Sequence, residues 1–104
     1  MHVQIVTYRL EDVSDPEFIA ANRDFADMMA AVPGLIAKVW LKDAEGSTHG
    51  GVYLWEDRQA CQNFIAGELW GEVLEDETVI DLTSHDYTVN DELTKVTQPG
   101  LKLL

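Results

Sequence analysis

Two neighbouring stretches decide the fold: Leu35-Ile-Ala-Lys-Val-Trp-Leu-Lys42 and, after the polar turn Asp43-Ala-Glu-Gly-Ser-Thr48, His49-Gly-Gly-Val-Tyr-Leu-Trp-Glu56. Side chains alternate across a strand. In the first stretch Ala37, Val39 and Leu41 therefore point one way, and Ile36, Lys38 and Trp40 the other. In the second, Gly51, Tyr53 and Trp55 share a face opposite Val52 and Leu54. A loop of this length joins the two as a loose hairpin.

Residues 2 to 10 upstream alternate as a strand, with Val3, Ile5 and Thr7 on one side and Gln4, Val6 and Tyr8 on the other. Both sets carry apolar members, so the inward side is open. Ser14-Asp-Pro-Glu17 is a capping box that starts a helix, with Ser14 as N-cap and Pro16 tolerated in the first turn. Phe18, Ala21, Phe25, Met28, Met29 and Val32 follow at spacings of three and four, one apolar stripe, and Pro33-Gly34 stops it.

Downstream of the hairpin, Asp57 is the N-cap of a second helix with Ala60, Cys61, Phe64 and Ile65 inward. Gly67 ends it, and Leu69 to Leu74 adds one or two helical turns. Residues 78 to 89 read as the last strand. Residues 90 to 104 read as a C-terminal arm that packs on something rather than as a separate element. The order is β-α-β-β-α-β, so the fold class expected is α+β: a ferredoxin-like antiparallel sheet with two helices on one face, in one domain over 1–104.

The chain has 104 residues, enough for one domain whose own core is thin. Seven Lys and Arg stand against 19 Asp and Glu, a formal charge of -12. Nucleic acids are held by neutralising phosphates with Lys and Arg, so this balance excludes them as partners, and it argues against anionic membrane surfaces as well. The alternating N-terminus is no secretory signal, and no apolar run approaches the ~20 residues that span a bilayer. One cysteine, Cys61, suits a reducing compartment, so the expected location is cytoplasmic.

The sheet face opposite the helices is expected to carry Lys38, Trp40, Gly51, Tyr53, Trp55 and His85. Such a face is aromatic, half-polar and too apolar for water. A second copy covers it most simply, and two such sheets face to face make a dimeric α/β barrel with room inside for a small ligand.

Pro33-Gly34-Leu35, Lys38-Val39-Trp40, Gly50-Gly51-Val52-Tyr53-Leu54-Trp55 and Asp57 before an Ala-containing helix start resemble the YdhR-like monooxygenase family of the dimeric α/β barrel superfamily. Tyr87-Thr88-Val89-Asn90 with Leu93 resembles the strand end and tail of the same proteins, so the likeness covers most of the chain. The resemblance implies a homodimer and a cofactor-independent monooxygenase that acts with dioxygen on a small aromatic, phenolic or polyketide-like substrate in the barrel pocket. Superfamily relatives oxidise phenols and quinols without metal or flavin, so no cofactor is expected. A non-catalytic small-molecule binding protein with the same homodimeric barrel is the alternative, and a structural dimer whose aromatic face is only interface is a third reading.

Lys38, mid-strand among aromatics, either meets a carboxylate in an internal ion pair or holds an anionic oxygen of a ligand. Trp40, Tyr53 and Trp55 either pack an interface or stack a flat ring, with Gly51 giving close approach and Tyr87 on the face of His85. His85 is either a hydrogen-bonded structural residue or the base that takes the proton of a phenolic hydroxyl. A phenolate passes an electron to oxygen more readily than a phenol does. His49 is read as a surface residue and Cys61 as core. No spacing of His and Cys supplies a first shell for zinc or iron, and Glu75-Asp76-Glu77 reads as a solvated loop, so no metal site is expected.

Overall fold

The computed structural model describes residues 1–98. Strand β1 (His2–Arg9) leads to helix α1 (Asp15–Ala30), then to β2 (Leu35–Lys42) and β3 (Thr48–Trp55). Helices α2 (Arg58–Ile65) and α3 (Glu68–Glu75), strand β4 (Ile80–Thr88) and helix α4 (Asp91–Thr97) complete the described chain. The strands form one antiparallel sheet in the order β2-β3-β1-β4. This is the expected α+β ferredoxin-like arrangement. No helix among the described residues is long and apolar enough to cross a membrane.

Local chemistry sets the boundaries. The Ser14 hydroxyl accepts from the Glu17 amide while the Glu17 carboxylate accepts from the Ser14 amide, which closes the capping box. Asp57 caps α2 by accepting from the Ala60 amide at 2.8 Å. Gly34, after α1, sits at φ +83, and a Cβ there would lie 2.5 Å from that of Ala60, so the turn into β2 requires glycine. Two sequence expectations change. Gly67 does not only end α2: it is also the N-cap of a separate helix, α3. The described part of the tail forms α4, because Asn90 accepts from the Leu93 amide and Asp91 and Glu92 sit in the positive first turn. Leu93 and Val96 on α4 are exposed, and the remainder of the arm, residues 99–104, lies outside the described residues.

The larger correction concerns which face the helices cover. The core under α1, α2 and α3 is Val6, Met29, Tyr53, Trp55, Cys61, Phe64 and Trp70. The aromatic face is therefore the helix-covered face and not, as expected, the one opposite the helices. Large rings bury the most apolar area, and Phe18 and Phe25 of α1 with Phe64 of α2 supply matching partners within the same chain. The uncovered face carries Ile5, Val39, His85 and Tyr87, all exposed, along with Val3, Val52 and Leu54.

Candidate functional site

Lys38 lies on β2 opposite Tyr53 of β3, and Trp40 lies opposite Gly51. Alternation sends both side chains under α1. The Lys38 ammonium stands 3.4 Å from the centroid of the Trp40 ring, 4.6 Å from that of Tyr53 and 5.2 Å from that of Phe25 on α1. The glycine matters here: a Cβ at position 51 would stand 2.8 Å from Lys38 Cε and 3.2 Å from the Tyr53 ring. Gly51 thus leaves room for the Lys38 stem to fold inward, while Trp55, stacked on Tyr53 at 6.2 Å, backs the wall from the core.

These groups border a cavity of about 200 Å³, lined by Val6, Tyr8, Phe25, Lys38, Trp40 and Tyr53 among others, with Glu72 of α3 and its C-cap Asp76 also in the lining. Among the described residues Lys38 has no ion-pair partner. The internal ion pair weighed from the sequence is absent there. Burial without a counter-charge disfavours the ammonium and lowers the Lys38 pKa from 10.5 to about 7. Burial likewise raises the Tyr53 phenol above its ordinary range, with Tyr8 adding to the effect, and Tyr8 itself is raised by burial and by Asp76. Both tyrosines are neutral hydroxyls at physiological pH. The site is a compact aromatic box around one amine that is half protonated near neutrality.

Not every residue expected at the site reaches it. Lys38, Trp40 and Tyr53 meet at the cavity, with Gly51 beneath them and Trp55 behind. His85 and Tyr87 do not: β4 pairs with β1 so that His85 faces Ile5 and Tyr87 faces Val3, on the uncovered side of the sheet. A one-residue difference in pairing inverts a strand's faces, and here it separates His85 from Lys38 by the thickness of the sheet.

His49 is the residue the sequence reading placed wrongly. It is 3% exposed, its ring stacks on Phe18 at 4.5 Å, and Tyr8 lies beyond at 6.3 Å. Its Nε2 donates to the Gly46 carbonyl at 3.0 Å, since that oxygen can only accept. The signal was present in the strand itself, because positions 49, 51, 53 and 55 share one face. His49 lines a second cavity, about 400 Å³, between α1 and β2. Trp40 and Asn22 border both cavities.

One group has metal-ligand character: His2, Cys61 and Asp86 bring their donor atoms within 4.8 Å of one another. Its valences are already met by the protein. His2 Nε2 pairs with Asp86 Oδ2 at 2.7 Å, and the Cys61 thiol, its pKa raised to about 11 by burial and by Asp86, donates to Gln4 Oε1 at 3.8 Å. Gln4, buried in turn, accepts from Trp55 Nε1 and donates to Ser84. The arrangement reads as a satisfied polar network that orders the sheet beneath α2.

The fold has close counterparts among solved structures. A putative antibiotic biosynthesis monooxygenase from Deinococcus radiodurans superposes with a TM-score of 0.70 at 14% identity, over 86% of this chain and 92% of that one. SnoaB, a cofactor-independent oxygenase from Streptomyces nogalater, superposes at 0.65 and 15% identity, over 86% and 93%. A variant of MhuD carrying two manganese protoporphyrin IX molecules per active site gives 0.67 at 17% identity, over 86% and 95%. At these identities the likeness is one of fold. No curated protein matches the sequence. The profile of the family described as "Putative mono-oxygenase ydhR" matches residues 5–99, nearly the whole chain, and the protein belongs to that family.

Proposed function

We propose that the protein is a cofactor-independent monooxygenase for a small phenolic or hydroquinone-like aromatic, and that Lys38 is its central catalytic residue. One observation carries the reading: a lysine amine without a carboxylate partner among the described residues, boxed by Trp40, Tyr53 and Phe25, at the edge of a cavity. The membership of a monooxygenase family and the fold shared with SnoaB support it.

With His85 across the sheet, the work once divided between two residues falls to one. A neutral Lys38 amine takes the proton of the substrate hydroxyl, and a pKa of about 7 suits a base working at neutral pH. The ammonium so formed stays against the Trp40 face and pairs with the new phenolate oxygen. The electron-rich ring then reduces dioxygen. The two combine to a hydroperoxide at a ring carbon bearing hydrogen, and loss of water leaves a carbonyl there. One oxygen atom enters the product and the other leaves as water, with every electron supplied by the substrate. Trp40 and Tyr53 form the ring-binding walls.

The test is oxygen uptake across a panel of hydroquinones and naphthols. Lys38→Ala should abolish turnover, and the wild-type rate should rise with pH through about 7 and level off above it, because the base acts deprotonated. Tight binding of one such compound with no oxygen consumed would favour the binding-protein reading instead.

The homodimer belongs to the same proposal, on the other side of the sheet. Ile5, Val39 and Tyr87, exposed beside Val3, Val52 and Leu54, form an apolar face that a second copy covers, giving the barrel. Sedimentation should give a dimer, and Val39→Asp a monomer.

A further inference from the structure

Tyr53 is 3% exposed, yet its hydroxyl makes no hydrogen bond among the described residues. The one sealed side-chain polar atom without a partner there is Nδ1 of His49, so the Tyr53 hydroxyl is not sealed but open to water. Trp55 stacks on its ring at 6.2 Å and Phe64 closes it at 5.6 Å, while the residue borders the Lys38 cavity. The opening therefore lies on that cavity. A tyrosine so buried normally finds a partner for its hydroxyl.

Gly51 shows where this hydroxyl stands relative to the amine. A Cβ there would lie 2.8 Å from Lys38 Cε and 3.2 Å from Tyr53 Cε1, the ring carbon next to the one bearing the hydroxyl. The tip of the Tyr53 ring and the end of the Lys38 stem thus converge over one glycine. With the amine 4.6 Å from the centre of that ring, a single ligand oxygen fits within about 2.7–3.2 Å of amine and hydroxyl together. The two groups are complementary: a neutral amine accepts a proton, and a phenol that burial keeps protonated donates a hydrogen bond.

The other polar groups of the cavity leave the hydroxyl unmatched. Asn22 Nδ2 donates to the Phe18 carbonyl at 3.0 Å, and Asp76 Oδ1 accepts from the Thr78 amide at 2.9 Å and from its hydroxyl. Glu72 and Tyr8 make no hydrogen bond to Tyr53. The two carboxylates in the lining favour a ligand that enters uncharged.

We infer that the Tyr53 hydroxyl is a second catalytic contact, donating to the same substrate oxygen whose proton Lys38 takes, so that the pair holds a free, uncharged phenol by that oxygen. The inference rests on the Lys38 reading and deepens it. The substrate proton passes to Lys38 and Tyr53 keeps its own, and the Tyr53 hydrogen bond strengthens as the oxygen becomes anionic. An arene without the oxygen loses both contacts.

The experiment is an anaerobic titration of the full chain with 4-fluorophenol and with fluorobenzene, read by fluorine NMR above the Lys38 pKa of about 7. Wild type should prefer the phenol. Tyr53→Phe keeps the ring and removes only the hydroxyl, so it should cut that preference about tenfold, the worth of one hydrogen bond. Lys38→Met should cut it by a similar factor. Fluorobenzene should bind Tyr53→Phe within about twofold of wild type, as expected of an intact wall. A preference unchanged in Tyr53→Phe would overturn the proposal and leave the hydroxyl to water. A loss in Tyr53→Phe without one in Lys38→Met would overturn the shared oxygen, and equal affinities in wild type would overturn both contacts. Preference lost in both variants, with no oxygen consumed on any hydroquinone, would keep the Tyr53 contact and fail only the monooxygenase reading.

Discussion

Beneath the helices Tyr53 and Trp55 are 3% and 0% exposed, while on the opposite face of the same sheet Val39 and Tyr87 are 52% and 55% exposed. The covered face holds the aromatic rings, the amide network of Gln4 and the lone amine of Lys38; the open face is mainly β-branched and aliphatic. A single chain of this size can close one side of a sheet, and the proposed dimer would close the other. The comparison teaches that chemistry sits on the side a chain closes by itself, where geometry does not wait on assembly. On the proposed function, stability and reactivity are concentrated there and association belongs to the other face.

The largest effect that could break this division is truncation of the most buried ring. Trp55→Ala opens a void at the centre of the core and leaves Gln4 Oε1, which accepts from Trp55 Nε1 at 3.2 Å, with only the long thiol contact of Cys61. It should cost about 3–5 kcal/mol in urea unfolding, the usual range for a buried aromatic. Val39→Ala, the same truncation logic on the open face, should cost less than about 1 kcal/mol when measured on monomer. Similar costs for both would mean that the two faces are not distinct in the way described.

Much of the division was legible beforehand, and the part that was not has a physical cause. Alternation within β2 and β3 placed Lys38, Trp40, Gly51, Tyr53 and Trp55 together, because side-chain parity is a property of one strand. Which parity faces the helices is a property of two layers, and both sets in β1 are apolar enough to serve. β4 misled further. Its inward residues Ser84 and Asp86 are polar because they pair with the inward polar residues of β1, Ser84 with Gln4 and Asp86 with His2. A strand whose buried side is hydrogen-bonded rather than greasy gives no hydropathy signal of its facing, so His85, rightly expected opposite the helices, was grouped with Lys38 and Trp40, which turn under them. The capping box at Ser14, the Asp57 cap and the Gly34 turn were legible because they are local; the register of β4 against β1 spans some 80 residues of chain.

A smaller effect sharpens the covered side. Lys38 titrates near 10.5 when unfolded and at about 7 when folded, so between those values the unfolded chain binds more protons. Stability therefore rises with pH from about 7 to 10.5 and is level, with the penalty fully present, below 7. Glu72 of α3, Asp76 at its C-cap and the tyrosines Tyr8 and Tyr53 are the titratable neighbours around the cavity, and burial moves both phenols upward, away from neutral pH. Lys38→Met removes the amine and keeps the stem. It should raise stability by about 1 kcal/mol or more at neutral pH and below. It should also flatten the rise between pH 7 and 10.5 in urea midpoints. A slope that persists in the variant would assign the titration to another group.

The smallest expected effect is the most pointed. His85 sits on β4 across from Ile5, exposed on the uncovered face, while Lys38 projects beneath α1 on the other side. No proton can pass between a substrate in the Lys38 cavity and an imidazole on the far side of a hydrogen-bonded sheet, since proton transfer needs contact at about 2.6–3.2 Å or one bridging water. His85→Ala should therefore leave oxygen uptake within about twofold of wild type and monomer stability within about 0.5 kcal/mol, as surface substitutions do. Any consequence should fall on association, since the imidazole lies beside Ile5 and Tyr87 on the face proposed for a second copy. Loss of turnover that tracks dimer dissociation, and returns at high protein concentration, would join the two faces through assembly. Loss of turnover with the dimer intact would contradict the separation of the faces and restore His85 as the base.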